Sequence, residues 1–352
     1  MIQTGLITSA HSDLLTCLAY DYYGANIASC GLDQKIVVTA VNNVEQSQSQ
    51  SPTVKYEWRA HSAPITCVAW AHPEFGEVLA SAGMDRTVRI WERGEEKAVL
   101  LDARAGVRQV EFAPQAFGLK VATVAADGWV RVYECLDLGK LDVWALADAV
   151  EVAREEQQGA AGGKEVEGGW GVSWCKERYW GQVVAAVAGA SDVVKIIQFS
   201  PSRSPQTILE LKPPPPSTTT TTPTTSVITT VAWAPSCGRS YHLIATGGRD
   251  GHVRIWKVSG PMVDSEEDDA EDRDLGDATN GKWSGQLVAD FDDHARIGAL
   301  EGGVVGKVEW NVTGTILSSS GSDGRVRLWK ASLTSGGRIW RIAGSVGVEQ
   351  KE

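Results

Sequence analysis

The 352-residue sequence has no apolar run near the ~18 residues needed to cross a bilayer, and no N-terminal apolar segment of the secretory kind. The chain is therefore expected to be intracellular and soluble. Its six cysteines occur singly, at Cys17, Cys30, Cys67, Cys135, Cys175 and Cys237, and no CxxC spacing exists to build a structural zinc site. Cys17 and Cys67 stand in matching contexts, LTCLAY and ITCVAW, where alternation points them into a core as small hydrophobes. Positive charge is nowhere concentrated, which argues against direct DNA or RNA binding. The formal net charge is −11, and DSEEDDAEDRD at 264–274, with eight acids and one arginine, supplies −7 of it. Such an acidic run reads as a solvated loop. The nucleophile elbow G-x-S-x-G, the H-E-x-x-H helix and the phosphate-binding loop are all missing. No cofactor, metal or catalytic site is expected.

What the sequence has in quantity is glycine and tryptophan, 37 and 14 residues, and one phrase written about six times. GSDGRVRLW at 321–329 repeats GMDRTVRIW at 83–91 and GRDGHVRIW at 248–256. Looser copies are GLDQKIVVT at 31–39, AADGWVRVY at 125–133 and GASDVVKIIQF at 189–199. A second phrase precedes each: TCLAY, TCVAW, QVEFA, GVSWC, TVAWA and KVEWN mark a recurring inner strand. Around residues 54–91 the runs VKYEW, ITCVAW, EVLASAG and TVRIW alternate with period two and are rich in β-branched residues. They read as four short antiparallel strands, with Asp85 in the hairpin between the third and fourth. Asp33, Asp85, Asp127, Asp192, Asp250 and Asp323 mark the turns, 42 to 73 residues apart. The shortest spacing fits a propeller blade of ~40–45 residues, and the longer ones contain insertions. The expected fold is all-β: a six-bladed WD-repeat β-propeller forming a single domain over 1–352, with flexible insertions at 42–53, 154–169, 212–226 and 259–285.

His61, Ser81, Asp85 and Trp91 occupy positions that pair across such a blade, the aspartate bracing the turn through the histidine. His11, Ser29 and Asp33 repeat the set in the first blade, with Thr39 in place of the tryptophan. Ser319, Asp323 and Trp329 repeat it in the last, with His294 as the fourth member. Asp127, Asp250 and Trp256 are the corresponding residues elsewhere. His, Ser and Asp together invite a catalytic-triad reading, but a hydrolase needs one nucleophile in one cleft, not a set that recurs.

Outer strands follow each phrase: VKYEW (54–58), KAVLLDA (97–103), LDVWALA (141–147), QTILELK (206–212), QLVADF (286–291) and RIWRIAG (338–344). The last blade thus completes itself, and GLITSA at 5–10 is left over. An unpaired strand exposes a row of backbone donors and acceptors, and strands from another protein are the natural cover. The ring is expected to be open, taking a seventh blade in trans along an edge at Thr4, Gly5, Leu6, Ile7 and Thr8.

Five segments carry a resemblance: HSDLLTCLAYDYYGANIASCGLDQKI, WAHPEFGEVLASAGMDRTVRIWE, FAPQAFGLKVATVAADGWVRVYE, APSCGRSYHLIATGGRDGHVRIW and WNVTGTILSSSGSDGRVRLWKA. They resemble successive blades of the Seh nucleoporin family over residues 11–135 and 230–331, with insertions interrupting the match at 136–229. The resemblance implies a non-enzymatic scaffold subunit of the Y-shaped coat complex of the nuclear pore, at the nuclear envelope. It implies an α-solenoid nucleoporin partner that donates an insertion blade. It also implies membership of the SEA/GATOR complex in TOR signalling, at a vacuolar or lysosomal membrane reached only through the coat. Two alternatives stand beside it: a propeller subunit of a COPII-type vesicle coat, and a peptide-recognising WD-repeat adaptor using aromatics such as Trp129 and Trp283.

Overall fold

The computed structural model describes residues 10–41, 53–153, 168–200, 202–214, 227–260, 283–292, 296–297, 300–301, 303–334 and 337–347. The chain divides into two compact units, Met1–Trp174 and Cys175–Glu352. In the first unit, β1 (Leu15–Tyr20), β2 (Asn26–Gly31), β3 (Lys35–Ala40) and β4 (Thr53–Arg59) form one antiparallel sheet. The second sheet is β5 (Ile65–Trp70), β6 (Val78–Gly83), β7 (Val88–Glu92) and β8 (Glu95–Leu100). The third is β9 (Val107–Phe112), β10 (Lys120–Ala125), β11 (Trp129–Cys135) and β12 (Trp144–Glu151). The fourth begins with β13 (Gly169–Trp174) and continues with β14 (Gln182–Gly189), β15 (Val194–Ser200) and β16 (Arg203–Leu211).

The fifth sheet is β17 (Ile228–Trp233), β18 (His242–Gly248), β19 (Val253–Ser259) and β20 (Ser284–Phe291). A two-stranded ribbon, β21 (Arg296–Ile297) with β22 (Leu300–Glu301), precedes the sixth. That last sheet is β23 (Val305–Trp310), β24 (Ile316–Gly321), β25 (Arg325–Thr334) and β26 (Gly337–Gly347). These six four-stranded sheets are the blades of a β-propeller. The sixth is completed by its own strand, β26 pairing with β25 from Arg325↔Gly347 to Thr334↔Gly337. Residues 4–8, and most of the four insertions, lie outside the described residues.

The sequence repeat and the blade are out of step by one strand. VKYEW, grouped by sequence with the strands that follow it, is β4 and pairs with β3 (Val38↔Tyr56), not with β5. Asp85 accordingly lies between the second and third strands of its sheet. The linker between the two blades is tied to both: Ala60 N–H donates to Gln34 O in the turn of the first sheet, and the next residue, His61, reaches the turn of the second.

Two outer strands start away from where alternation puts them. Arg93 and Gly94 both have positive φ, 50° and 85°, the two-residue hairpin whose twist suits paired strands. β8 therefore begins at Glu95, earlier than KAVLLDA suggests. β12 begins at Trp144, later than LDVWALA suggests, because Leu141 takes φ 62° and its carbonyl accepts the Trp144 indole N–H at 2.9 Å.

Within each unit the sheets stack face to face over apolar side chains. Ala28, Cys30, Ile36 and Val38 of the first sheet pack on Ile65, Val68, Leu79 and Trp91 of the second. In the second unit, Leu243, Ala245, Val253 and Ile255 pack on Val305, Val308, Leu317 and Trp329. Polar clips join neighbouring inner strands. Thr16 Oγ1 donates to Ile65 O at 2.6 Å and Thr66 Oγ1 to Val107 O at 2.7 Å. In the other direction, the indoles of Trp70, Trp174 and Trp310 donate to Ala19 O, Glu111 O and Ala232 O.

Candidate partner interface

The second sheet holds the full four-residue chain. Trp91 Nε1–H donates to Ser81 Oγ at 2.8 Å, Ser81 Oγ lies 2.7 Å from His61 Nε2, and His61 Nδ1 lies 3.0 Å from both Asp85 oxygens. An indole is a donor only, so Ser81 gives its proton to Nε2 and the ring carries its own proton on Nδ1, toward Asp85. Burial, the largest influence, pushes the His61 pKa down despite the attraction of Asp85. Burial also pushes the Asp85 carboxyl up, but Thr87 and His61 together outweigh it and hold it at about 2. Asp85 further accepts the backbone N–H of Ser62 and Thr87, so one carboxylate fixes both the turn and the entering linker. Gly83 has its place for lack of space: a Cβ there would meet the His61 ring and the Asp85 carboxylate.

This connectivity is that of a hydrolase triad, yet Ser81 is fully buried and its oxygen already receives an indole. No substrate carbonyl has a path to it. Among the described residues no group of three or more His, Cys, Asp or Glu is arranged to hold a metal ion.

In the first sheet His11 Nε2 lies 2.9 Å from Ser29 Oγ and His11 Nδ1 3.0 Å from Asp33. With Thr39 in place of an indole, the Ser29 hydroxyl also lies 3.2 Å from Val37 O. Three of the four remaining turns use a partner that the sequence reading missed. Asp127, Asp250 and Asp323 are each gripped by an arginine four residues on: Arg131 at 2.6 Å, Arg254 at 2.7 Å, and Arg327. The indoles of Trp256 and Trp329 still reach Thr246 Oγ1 and Ser319 Oγ. The signal was in the phrase: D-x-x-x-R crosses one hairpin corner. Arg89 has the same spacing, but His61 occupies Asp85 and Arg89 pairs with Glu96 at 2.6 Å. In the fourth sheet the turn residue is Ser191, whose Oγ accepts Val193 N–H at 3.1 Å. The sequence marker Asp192 is one residue too late and pairs with Lys212 instead. His294 lies outside the described residues.

The inner strands differ in exposure at equivalent positions. Val68, Val110, Val172, Val231 and Val308 share one register position, and none is more than 3% exposed. Leu18 occupies that position in β1 and is 54% exposed. Leu15 is 43% exposed where Ile65, Val107, Ile228 and Val305 are buried, and Tyr20 is 64% exposed where Phe112, Trp174 and Trp233 are buried. Within the first unit, the first sheet thus carries apolar side chains that stay exposed at positions covered in its neighbours. In the sixth sheet Val326 is 39% exposed, whereas Ile36, Val88, Val130 and Val253 at the same position after the turn are at most 2%. Trp129 and Trp283 do not form an open aromatic site. The first pairs along β12 opposite Glu151, and the second packs on Trp180 with ring centroids 5.3 Å apart.

Comparison with known proteins agrees with this architecture. The WD domain, G-beta repeat, matches residues 3–38, 52–92, 215–257 and 285–330. The chain is 34% identical to nucleoporin seh1 of Schizosaccharomyces pombe, covering 99% of this chain and 98% of that protein. It is 32% identical to nucleoporin SEH1 of Saccharomyces cerevisiae, covering 93% and 95%, and 30% identical to nucleoporin SEH1 of Homo sapiens, covering 96% and 86%. With six WD-type blades and near full-length identity of this order, the chain belongs to the SEH1 nucleoporin family.

Proposed function

We propose that this chain is a non-enzymatic architectural subunit of the nuclear pore complex, and that an α-solenoid nucleoporin docks on it by laying its own β-strands against the flank of the first sheet as a further blade. The carrying observation is the exposure of Leu15, Leu18 and Tyr20, with all five counterparts of Leu18 in the other blades buried. Burying one large apolar side chain contributes ~1.5–3 kcal/mol, so three together, with backbone pairing along residues 4–8, supply enough for a lasting subunit contact. Family membership places the protein at the nuclear pore complex of the nuclear envelope. The recurring braces at His11, His61, Asp127, Asp250 and Asp323 are assigned to keeping the blades rigid, so that the docking flank is presented preformed.

Co-expression with a solenoid nucleoporin tests the reading. A stable complex is expected, and its loss when the partner's extra strands are removed, or when residues 1–10 of this chain are deleted, is the expected result. Undiminished binding by both truncations would overturn it.

A further inference from the structure

Cys17 and Cys67 occupy the same position in β1 and β5, and their sulfurs lie 3.9 Å apart. Both are half-buried, unlike the fully buried Cys30, which corrects the expectation of two small hydrophobes buried in the core. Their strands are pinned on either side. One residue before Cys17, Thr16 is clipped to Ile65 O. Two residues after it, Ala19 O receives the Trp70 indole. The two sulfurs are therefore held close to van der Waals contact by the blades themselves, and a disulfide would draw them to ~2.05 Å. Cys67 also lies 3.7 Å from Val110 O and Cys17 3.9 Å from Val68 O, weak thiol contacts that cost little to give up.

A third thiol adjoins the pair. Cys30 stands opposite Cys17 in the β1–β2 register, and hydrogen bonding to Cys17 and then burial push the Cys30 thiol up.

We propose that Cys17 and Cys67 form a peroxide-sensitive dithiol pair that closes to an intrachain disulfide stapling the inner strands of the first two blades. The Cys17 thiolate attacks one oxygen of hydrogen peroxide. The O–O bond breaks, hydroxide leaves and is protonated to water, and Cys17 becomes a sulfenic acid. The Cys67 thiolate attacks that sulfur, the S–O bond breaks, and hydroxide leaves as a second water. Two thiols lose two electrons, and one peroxide is reduced to two waters. Cys17 precedes Leu18, so the staple forms beside the docking flank; its chemistry does not depend on that flank being occupied.

The test treats the folded full-length chain with hydrogen peroxide at neutral pH, blocks remaining thiols by alkylation, and maps non-reduced chymotryptic peptides, which separate Cys17 from Cys30, by mass spectrometry. A Cys17–Cys67 linkage within one chain, reversed by dithiothreitol, is expected, with a loss of two titratable thiols. In Cys67→Ser, dimedone should label Cys17. Oxidation confined to Cys237, a Cys17–Cys30 linkage, or a linkage found only between two chains would overturn the proposal.

Discussion

Arg131 closes on Asp127 through both guanidinium nitrogens, Nη2 to Oδ2 at 2.6 Å and Nη1 to Oδ1 at 3.2 Å, across one hairpin corner. Both side chains are less than a tenth exposed. Removing one partner of a buried pair leaves the other charge uncompensated, at a cost of about 3–5 kcal/mol. Arg131→Met is therefore expected to lower the urea midpoint substantially. Arg131→Lys, which cannot form the two-pronged contact, should fall between it and the parent.

The His61 brace gives the second sheet an acid sensitivity of known sign. The folded-state pKa of His61 lies below its ordinary 6.5, so its contribution is complete above 6.5 and declines as pH falls below it. Asp85, at about 2 against an ordinary 3.8, adds stability present above 3.8 and lost as pH falls toward 2. Thermal melts from pH 7 to 3 should show this loss, and His61→Gln should flatten its upper part. An unchanged slope in that variant would count against the assignment.

How much of this was legible in the sequence depends on locality. The repeated phrase specified blades, hairpins and the His61 tetrad because those are set by spacing within a few strands. The Asp-to-Arg grips were missed because VRIW arginines look like ordinary exposed strand residues, and only the hairpin geometry brings position i+4 back to the turn. The three-residue shift of β12 was hidden because the left-handed backbone of Leu141 has no residue signature. Exposure of Leu18 was illegible for a different reason: LTCLAY and ITCVAW are the same pattern, and exposure at a strand position depends on long-range packing that the pattern does not encode. The partner edge at Thr4–Thr8 lies outside the described residues.

Leu18→Glu is expected to leave the melting temperature within a degree or two, because the side chain already faces solvent, while abolishing capture of the solenoid partner. Val68→Glu, at the same register position, should prevent folding, since it buries an unpaired charge. Circular dichroism and pull-down on the two variants check both halves.

His242 is fully buried between Trp180 and Trp233, with ring centroids 5.2 and 5.4 Å away, and among the described residues neither ring nitrogen has a hydrogen-bond partner. Burial pushes its pKa down to about 4, so stability that is complete above 6.5 is lost as pH falls toward 4, by about 3 kcal/mol. His242→Phe keeps the aromatic packing and removes both stranded nitrogens. It should be neutral or stabilising at pH 7 and clearly stabilising at pH 5; destabilisation at both would sink this account.

The offset between repeat and blade has a consequence for how the molecule comes apart. Ala60 and His61 are consecutive residues, one fastened to the turn of the first sheet and the other to the turn of the second. Neither sheet can melt without tugging on the other's corner through a single peptide bond. Heat or denaturant should therefore strip this pair in one concerted transition, and a fragment ending at Arg59 should lack the rigidity that the same strands have in the whole chain.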